Sequence, residues 1–318
     1  MALIRRVRTK TVLHVMDLES GRSYPIFSGL SKDQQEAWAI FGAYTGYDWT
    51  ADDKEIVVWG GGKLWRVPTV MPANGKENTA KEIPFSVDVD IKVSETVRFK
   101  NNAFDESFDA KVIRHAVTSP DGKTLAFSAL GHLYTMSLPD STPTRLTDEA
   151  NFEFEPSFSA DGKTIAYVTW SDDDLGSIKT IAASGGRAQK VSKTPGIFRA
   201  PSFAPDGKTI AYFRESGNNH QGYAYCQEPG VYTIPTADGE ENRISKSGQY
   251  PVFNQKGDRV FFQKGGVLFG ALSKEYCSVK AIGGDERTHL NAKHAQRFSV
   301  SPDNKWVAWS ELHKVFVA

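Results

Sequence analysis

One line of sequence is written three times over in this chain of 318 residues: TSPDGKTLAFS from Thr118, SFSADGKTIAYV from Ser157 and SFAPDGKTIAYF from Ser202. An internal repeat constrains the fold more than any other feature, because each copy is one unit that buries its apolar face against its neighbours. Anchored on the turn aspartate, the copies extend to Asp52 in TADDKEIVVW, Asp121, Asp161, Asp206 and Asp303 in SPDNKWVAWS, with a degenerate copy at Lys256 in NQKGDRVFFQ. The steps between these anchors are 69, 40, 45, 50 and 47 residues. All but the first suit a unit of four strands.

Within a unit the chemistry is that of a hairpin. Asp bonds backbone amides two residues on, Gly accepts a positive φ at no steric cost, and Lys opens the next strand on its solvent side. A strand such as EPSFS precedes the turn, KTIAYV follows it, and SIKTIAA, Gly-Gly and a short fourth strand complete the unit. Four-stranded twisted sheets repeated around a channel make a β-propeller. The expected fold is therefore all-β, a propeller of about six four-stranded blades, as a single domain over 1–318. The blades are expected at 48–85, 112–150, 151–195, 196–245 and, degenerate, 246–292. Residues 1–47 read as the end of a preceding blade plus a loop, and 293–318 as a partial blade. KTVLHVMDLESGRSYPIF supplies third and fourth strands, while LHKVFVA stops at a third, so five strands are left over. Strand exchange between the termini would close six blades; a piece of a longer propeller region fits at least as well. Between the first two anchors, 86–111 reads as an inserted strand, because Val87, Val89, Ile91 and Val93 alternate with Asp88, Asp90, Lys92 and Ser94.

Several function classes are disfavoured at this level. The GKT triplets at Gly122, Gly162 and Gly207 are not phosphate loops, since the glycine required five positions earlier is replaced by Val117, Ser157 and Ser202. Lys plus Arg and Asp plus Glu number 38 each, which gives no global field to attract nucleic acid. No apolar run approaches the roughly 20 residues of a membrane-spanning helix, and the opening MALIRRVRTKTVLHVMDL breaks its apolar run at Asp17, too early for a signal peptide. Cys226 and Cys277 lie too far apart for a CxxC redox site or zinc knuckle, which leaves a single disulfide or, the favoured reading, two free thiols. There is no GxSxG elbow.

The DGK repeat with IAYV and a downstream Gly-Gly resembles the TolB-type propeller repeat. The ordered series VMDLESGRSYPIF, GGGKLWRVP, IPFSVDVDIKVSETVRF, VTSPDGKTLAFSALGHLYTMSLP, ADGKTIAYVTWSDDD, DERTHL and SPDNKWVAWSELHKVFVA resembles the propeller region of large bacterial proteins with a C-terminal amidohydrolase domain. That resemblance implies export to the periplasm or beyond, a hydrolase domain outside this chain as partner, and a divalent metal such as zinc in that domain. The chain itself has no HxH pair, so none of the family's catalytic residues carries over and no catalytic, cofactor or metal residue is assigned here.

Candidate recognition residues fall in two loops between second and third strands. One carries Trp170 with the acidic triplet Asp172, Asp173 and Asp174, read as a solvated turn, with a hard-cation site or a domain contact as the alternatives. The other, RESGNNHQGYAYCQEPG, carries His220, Tyr223 and Tyr225. His289 and His294 have a spacing that would serve a metal only if the backbone folded suitably, and His115 and His132 read as hydrogen-bonded structural histidines. The leading expectation is a non-catalytic propeller segment that scaffolds or gates a hydrolase site outside the chain. The alternatives are a free-standing TolB-like propeller binding a protein or peptide at its channel mouth, and a polysaccharide-lyase-like propeller enzyme using His220, His289 and His294.

Overall fold

The computed structural model describes residues 1–7, 10–30, 45–72, 76–97, 106–215, 228–266, 273–301 and 303–318. These are organised as seven antiparallel sheets in two compact units. The first unit takes in the described residues of Met1–Phe108 and the second those from Asp109 onward. No helix among the described residues is long and apolar enough to cross a membrane.

In the first unit β1 (Ala2–Val7), β2 (Lys10–Met16) and β3 (Ser23–Phe27) form a three-stranded sheet. The N-terminal segment thus contributes one strand more than the two read from its sequence. A four-stranded sheet follows, of β4 (Tyr47–Trp49), β5 (Glu55–Gly60), β6 (Lys63–Pro68) and β7 (Lys81–Ile83). Leu13 and Ile26 from the first sheet and Ile56 and Val67 from the second are fully buried in one shared core.

Five sheets make the second unit. They are β8 (Arg114–Thr118), β9 (Thr124–Ala129), β10 (His132–Ser137) and β11 (Thr144–Arg145); then β12 (Phe152–Phe158), β13 (Thr164–Trp170), β14 (Ser177–Ala182) and β15 (Gln189–Lys190). Next come β16 (Phe198–Phe203), β17 (Thr209–Arg214), β18 (Gly230–Pro235) and β19 (Asn242–Ser245), then β20 (Gln249–Phe253), β21 (Arg259–Gly265), β22 (Lys274–Lys280) and β23 (Arg287–Ala292). The last sheet has three strands, β24 (Ala295–Val300), β25 (Val307–Glu311) and β26 (Lys314–Val317). Each core lies between consecutive sheets: Leu133 packs with Ile165 and Tyr167, Ile178 with Ile210 and Tyr212, Phe213 with Val260 and Phe262, and Tyr276 with Phe298. Full burial of one such side chain contributes about 1.5–3 kcal/mol, so neighbouring sheets hold each other in place.

The repeated line is the turn between first and second strands. Ser159 Oγ donates to Asp161 Oδ1 at 2.6 Å and accepts from Thr164 N–H at 3.0 Å, while Lys163 N–H donates to the same carboxylate oxygen at 3.1 Å. Gly162 completes the turn at φ +71°. Ser119 with Asp121, Ser301 with Asp303 and Thr50 with Asp52 repeat the arrangement. In the degenerate copy Lys256 does not take the aspartate's part. Asn254 takes the place of Ser159: its Oδ1 accepts from Arg259 N–H at 3.1 Å, five residues on, and its amide donates to Asp258 at 2.6 Å.

The inserted strand expected at 86–111 is not formed among the described residues. Residues 84–97 pair with no strand, and Val87, Val89, Ile91 and Val93 are 65–80% exposed. Alternation decides which side chains would share a face, but a strand also needs a partner for its backbone N–H and C=O groups.

Candidate functional site

The first strand of every sheet in the second unit is broken by one extra residue. The register slips between Arg114 and Val117, Phe154 and Ser157, Arg199 and Ser202, Gln249 and Val252, and Ala295 and Phe298. Such a bulge bends the strand and turns the residue at the break away from the ladder. Four of the five breaks hold a non-glycine residue in the left-handed region: His115 at φ 54°, Glu155 at 52°, Ala200 at 47° and Tyr250 at 52°. Strain of this kind costs about 1–3 kcal/mol per residue and clusters where a side chain is aimed for a purpose. Pro156, Pro201 and Pro251 sit buried in three of these breaks, where a residue without an N–H leaves no ladder bond unmade.

The bulges bring five first strands into one polar line. His115 Nε2 lies 3.9 Å from Glu155, whose carboxylate accepts from Arg199 at 2.7 Å and from the Ala200 N–H at 2.5 Å. Arg199 also donates to Glu215 at 2.9 Å. Tyr250 packs edge-on against Phe213, and the Arg297 guanidinium lies 4.3 Å from the centre of the Tyr250 ring. One residue from each sheet, His115, Glu155, Arg199, Tyr250 and Arg297, therefore contributes to the array.

Electrostatics fix the charge states. Burial holds His115 below the ordinary histidine range; Glu155 opposes this, while Arg199, Arg114 and Arg297 reinforce it. The imidazole is accordingly neutral at pH 7, with Nδ1 bonded to Ser128 Oγ at 2.9 Å. Desolvation of Arg199 would lower its pKa, but Glu155, with Glu215 and Tyr250 adding to it, outweighs this and the guanidinium is held more firmly charged than usual. The array is a line of fixed donors and acceptors backed by aromatic surface, an arrangement suited to recognising a polar chain. Among the described residues no group of three or more His, Cys, Asp or Glu is placed to hold a metal ion.

The residues proposed from sequence lie elsewhere. Trp170 ends β13, and its Nε1 donates to Asp172 at 3.3 Å; Asp174 N–H donates to Ser171 Oγ at 3.0 Å, and all three aspartates are exposed in a tight turn. His220, Tyr223 and Tyr225 lie outside the described residues, as does Cys226. Cys277 is buried with a free thiol, raised above its ordinary pKa by burial. His289 on β23 bonds Ser278 Oγ at 2.7 Å and stacks near Phe261, while the backbone N–H of His294 donates to Glu311 at 3.1 Å. His132 contacts Arg145 at 3.0 Å and lies 3.6 Å from the buried Glu153. The sequence signal for the first-strand array was the proline recurring inside a strand pattern, at Pro156, Pro201 and Pro251, which marks an edge strand or a bulge.

No protein-family model and no curated protein matches the chain. Solved structures do. An oligogalacturonate lyase in complex with manganese aligns with a TM-score of 0.52 at 10% identity, over 98% of this chain and 80% of that one. The oligogalacturonate lyase of Vibrio parahaemolyticus aligns with a TM-score of 0.52 at 7% identity, over 100% and 82%. TolB from Acinetobacter baumannii aligns with a TM-score of 0.49 at 13% identity, over 99% and 75%. At these identities what is shared is a fold, all-β and built of repeated antiparallel four-stranded sheets, in common with the two oligogalacturonate lyases.

Proposed function

We propose that this chain is a non-catalytic propeller module that recognises a segment of a protein along its first-strand array. The observation that carries this reading is the bulge in the first strand of five consecutive sheets, which delivers His115, Glu155, Arg199, Tyr250 and Arg297 to one line. Stored backbone strain at four of these breaks supports a role in presentation, since stability alone is better served by relaxed strands. Donors and acceptors in that line match the backbone and side-chain groups of an extended peptide.

The resemblance in sequence makes a metal-dependent amidohydrolase domain the first partner to test, either fused to this chain in the parent protein or separate, in an exported setting. In that arrangement the propeller scaffolds or gates the hydrolase site. A free-standing module that takes a peptide at the same face is the alternative, and the coding sequence beyond Ala318 separates the two.

The test is binding of a fluorescent peptide set to the chain and to Arg199→Ala. Removing the guanidinium takes away a charge-assisted donor and leaves Glu155 without its cation, so affinity is expected to fall by about tenfold or more. Equal affinity of both proteins for every peptide sinks the reading. Amide hydrolysis by the chain alone in added zinc is expected to be nil; robust turnover would overturn the non-catalytic assignment.

A further inference from the structure

Between the last two sheets lies a cavity of about 170 Å³. Its walls are apolar at Val252, Phe261, Phe298 and Val300. Besides the hydroxyls of Tyr250 and Ser299, its polar lining comes from Gln263, Tyr276 and Arg297. Gln263 is 2% exposed, and its Oε1 is already taken by the Phe298 N–H at 3.1 Å, while Nε2 is buried with no hydrogen-bond partner. Tyr276 is 7% exposed, and its hydroxyl likewise is buried with no partner. Burial raises the pKa of that hydroxyl, so it keeps its proton. Arg297, stacked on Tyr250, adds a guanidinium, and no carboxylate lines the space.

Two buried polar groups without partners cost about 1–3 kcal/mol each, and both line the same cavity beside a cation. A ligand that relieves this cost must bring acceptors, must be anionic to suit Arg297, and must carry an apolar stem to suit the walls. Drug-sized ligands fill about 300–1,000 Å³, so this cavity takes something smaller.

We infer that the cavity lined by Gln263, Tyr276 and Arg297 is a binding site for a carboxylate on a short aliphatic stem. The carboxylate accepts from Gln263 Nε2, the Tyr276 hydroxyl and Arg297, and the stem packs on Phe261 and Phe298. Such a group comes either from a small free acid or from an acidic side chain of a bound peptide. The site deepens the proposed recognition role, with which it shares Tyr250 and Arg297.

The experiment is titration of the full chain with butyrate, butyramide and acetyl-glutamyl amide, followed by calorimetry and by chemical-shift changes. Saturable binding of butyrate but not butyramide is expected. Tyr276→Phe removes a hydroxyl that has no partner, so the melting temperature should hold or rise while affinity falls several-fold. Arg297→Met should weaken binding by about tenfold or more. Tighter binding of acetyl-glutamyl amide than of butyrate supports the site with a peptide as source; the reverse order supports it with a free acid. Butyramide binding as well as butyrate, indifference to both substitutions, or no saturation overturns it. Carboxylate binding without any peptide binding keeps this site and removes the recognition role; peptide binding that Arg199→Ala weakens, with no saturable butyrate binding, does the opposite.

Discussion

Tyr167 shows how single residues divide the labour. It stands fully buried on β13 with its hydroxyl unpartnered, and burial raises the pKa of that hydroxyl. Its ring fills the core between the second unit's first two sheets. Its oxygen contributes nothing, because an unpaired buried hydroxyl keeps its desolvation cost. Tyr167→Phe is therefore expected to be neutral or to stabilise by up to about 1 kcal/mol, whereas Tyr167→Ala should cost about 3–5 kcal/mol. Urea unfolding of the two variants checks both, and a large loss in the Phe variant would show that the hydroxyl has a partner.

Between elements, the joints are single polar side chains that reach from one sheet to the next. Glu153 on β12 is wholly buried, and one of its oxygens accepts from the Leu133 N–H of β10 at 3.0 Å and from the Thr147 hydroxyl at 2.5 Å. Glu153→Ala strands a buried N–H and is expected to cost about 2–3 kcal/mol, while Glu153→Gln keeps an acceptor and should cost less. Equal urea midpoints for the two variants would deny Glu153 this part. The elements themselves were largely legible in the sequence, since turn chemistry is local: the Asp-Gly pair marks a hairpin wherever it falls, and β2, β3, β13 and β17 lie where the patterns put them. Non-local features were not legible. Alternation in 86–111 predicted a strand that finds no partner among the described residues, and the copy at Lys256 placed a turn without showing that Asn254 ties it. The first-strand site escaped for a related reason, because a bulge is a property of two paired strands and the pattern of one strand does not show which residue is left out of the ladder. Sequence reasoning accordingly looked to the loops, while the structure gathers polar groups on the first strands.

For the whole molecule, acid is the expected weakness. His14, His115 and His289 are all held below the ordinary histidine range, first by burial and then by nearby arginines, with Glu155 partly offsetting this at His115. The unfolded chain therefore takes up protons at about pH 6.5 before the folded one does, and stability falls as pH drops from there toward the depressed folded values. A second loss follows in more acidic solution. Asp52, Asp121, Asp161 and Asp303 are held low by the hydroxyl two residues before each, then by the following amide; their contribution is present above about pH 4 and disappears as pH falls through the folded values. Melting temperatures measured from neutral pH downward should decline in these two stages, and a curve that is flat or rises toward acid would contradict the assigned directions. The bulges carry a different consequence, for how such a protein diversifies. Around the breaks, polar positions such as 115, 155 and 199 stand beside strand neighbours such as Phe198, Phe203 and Phe253 that are tied into the cores between sheets. Substitution at those polar positions can alter what the line binds while the stacking that keeps the sheets together stays as it is.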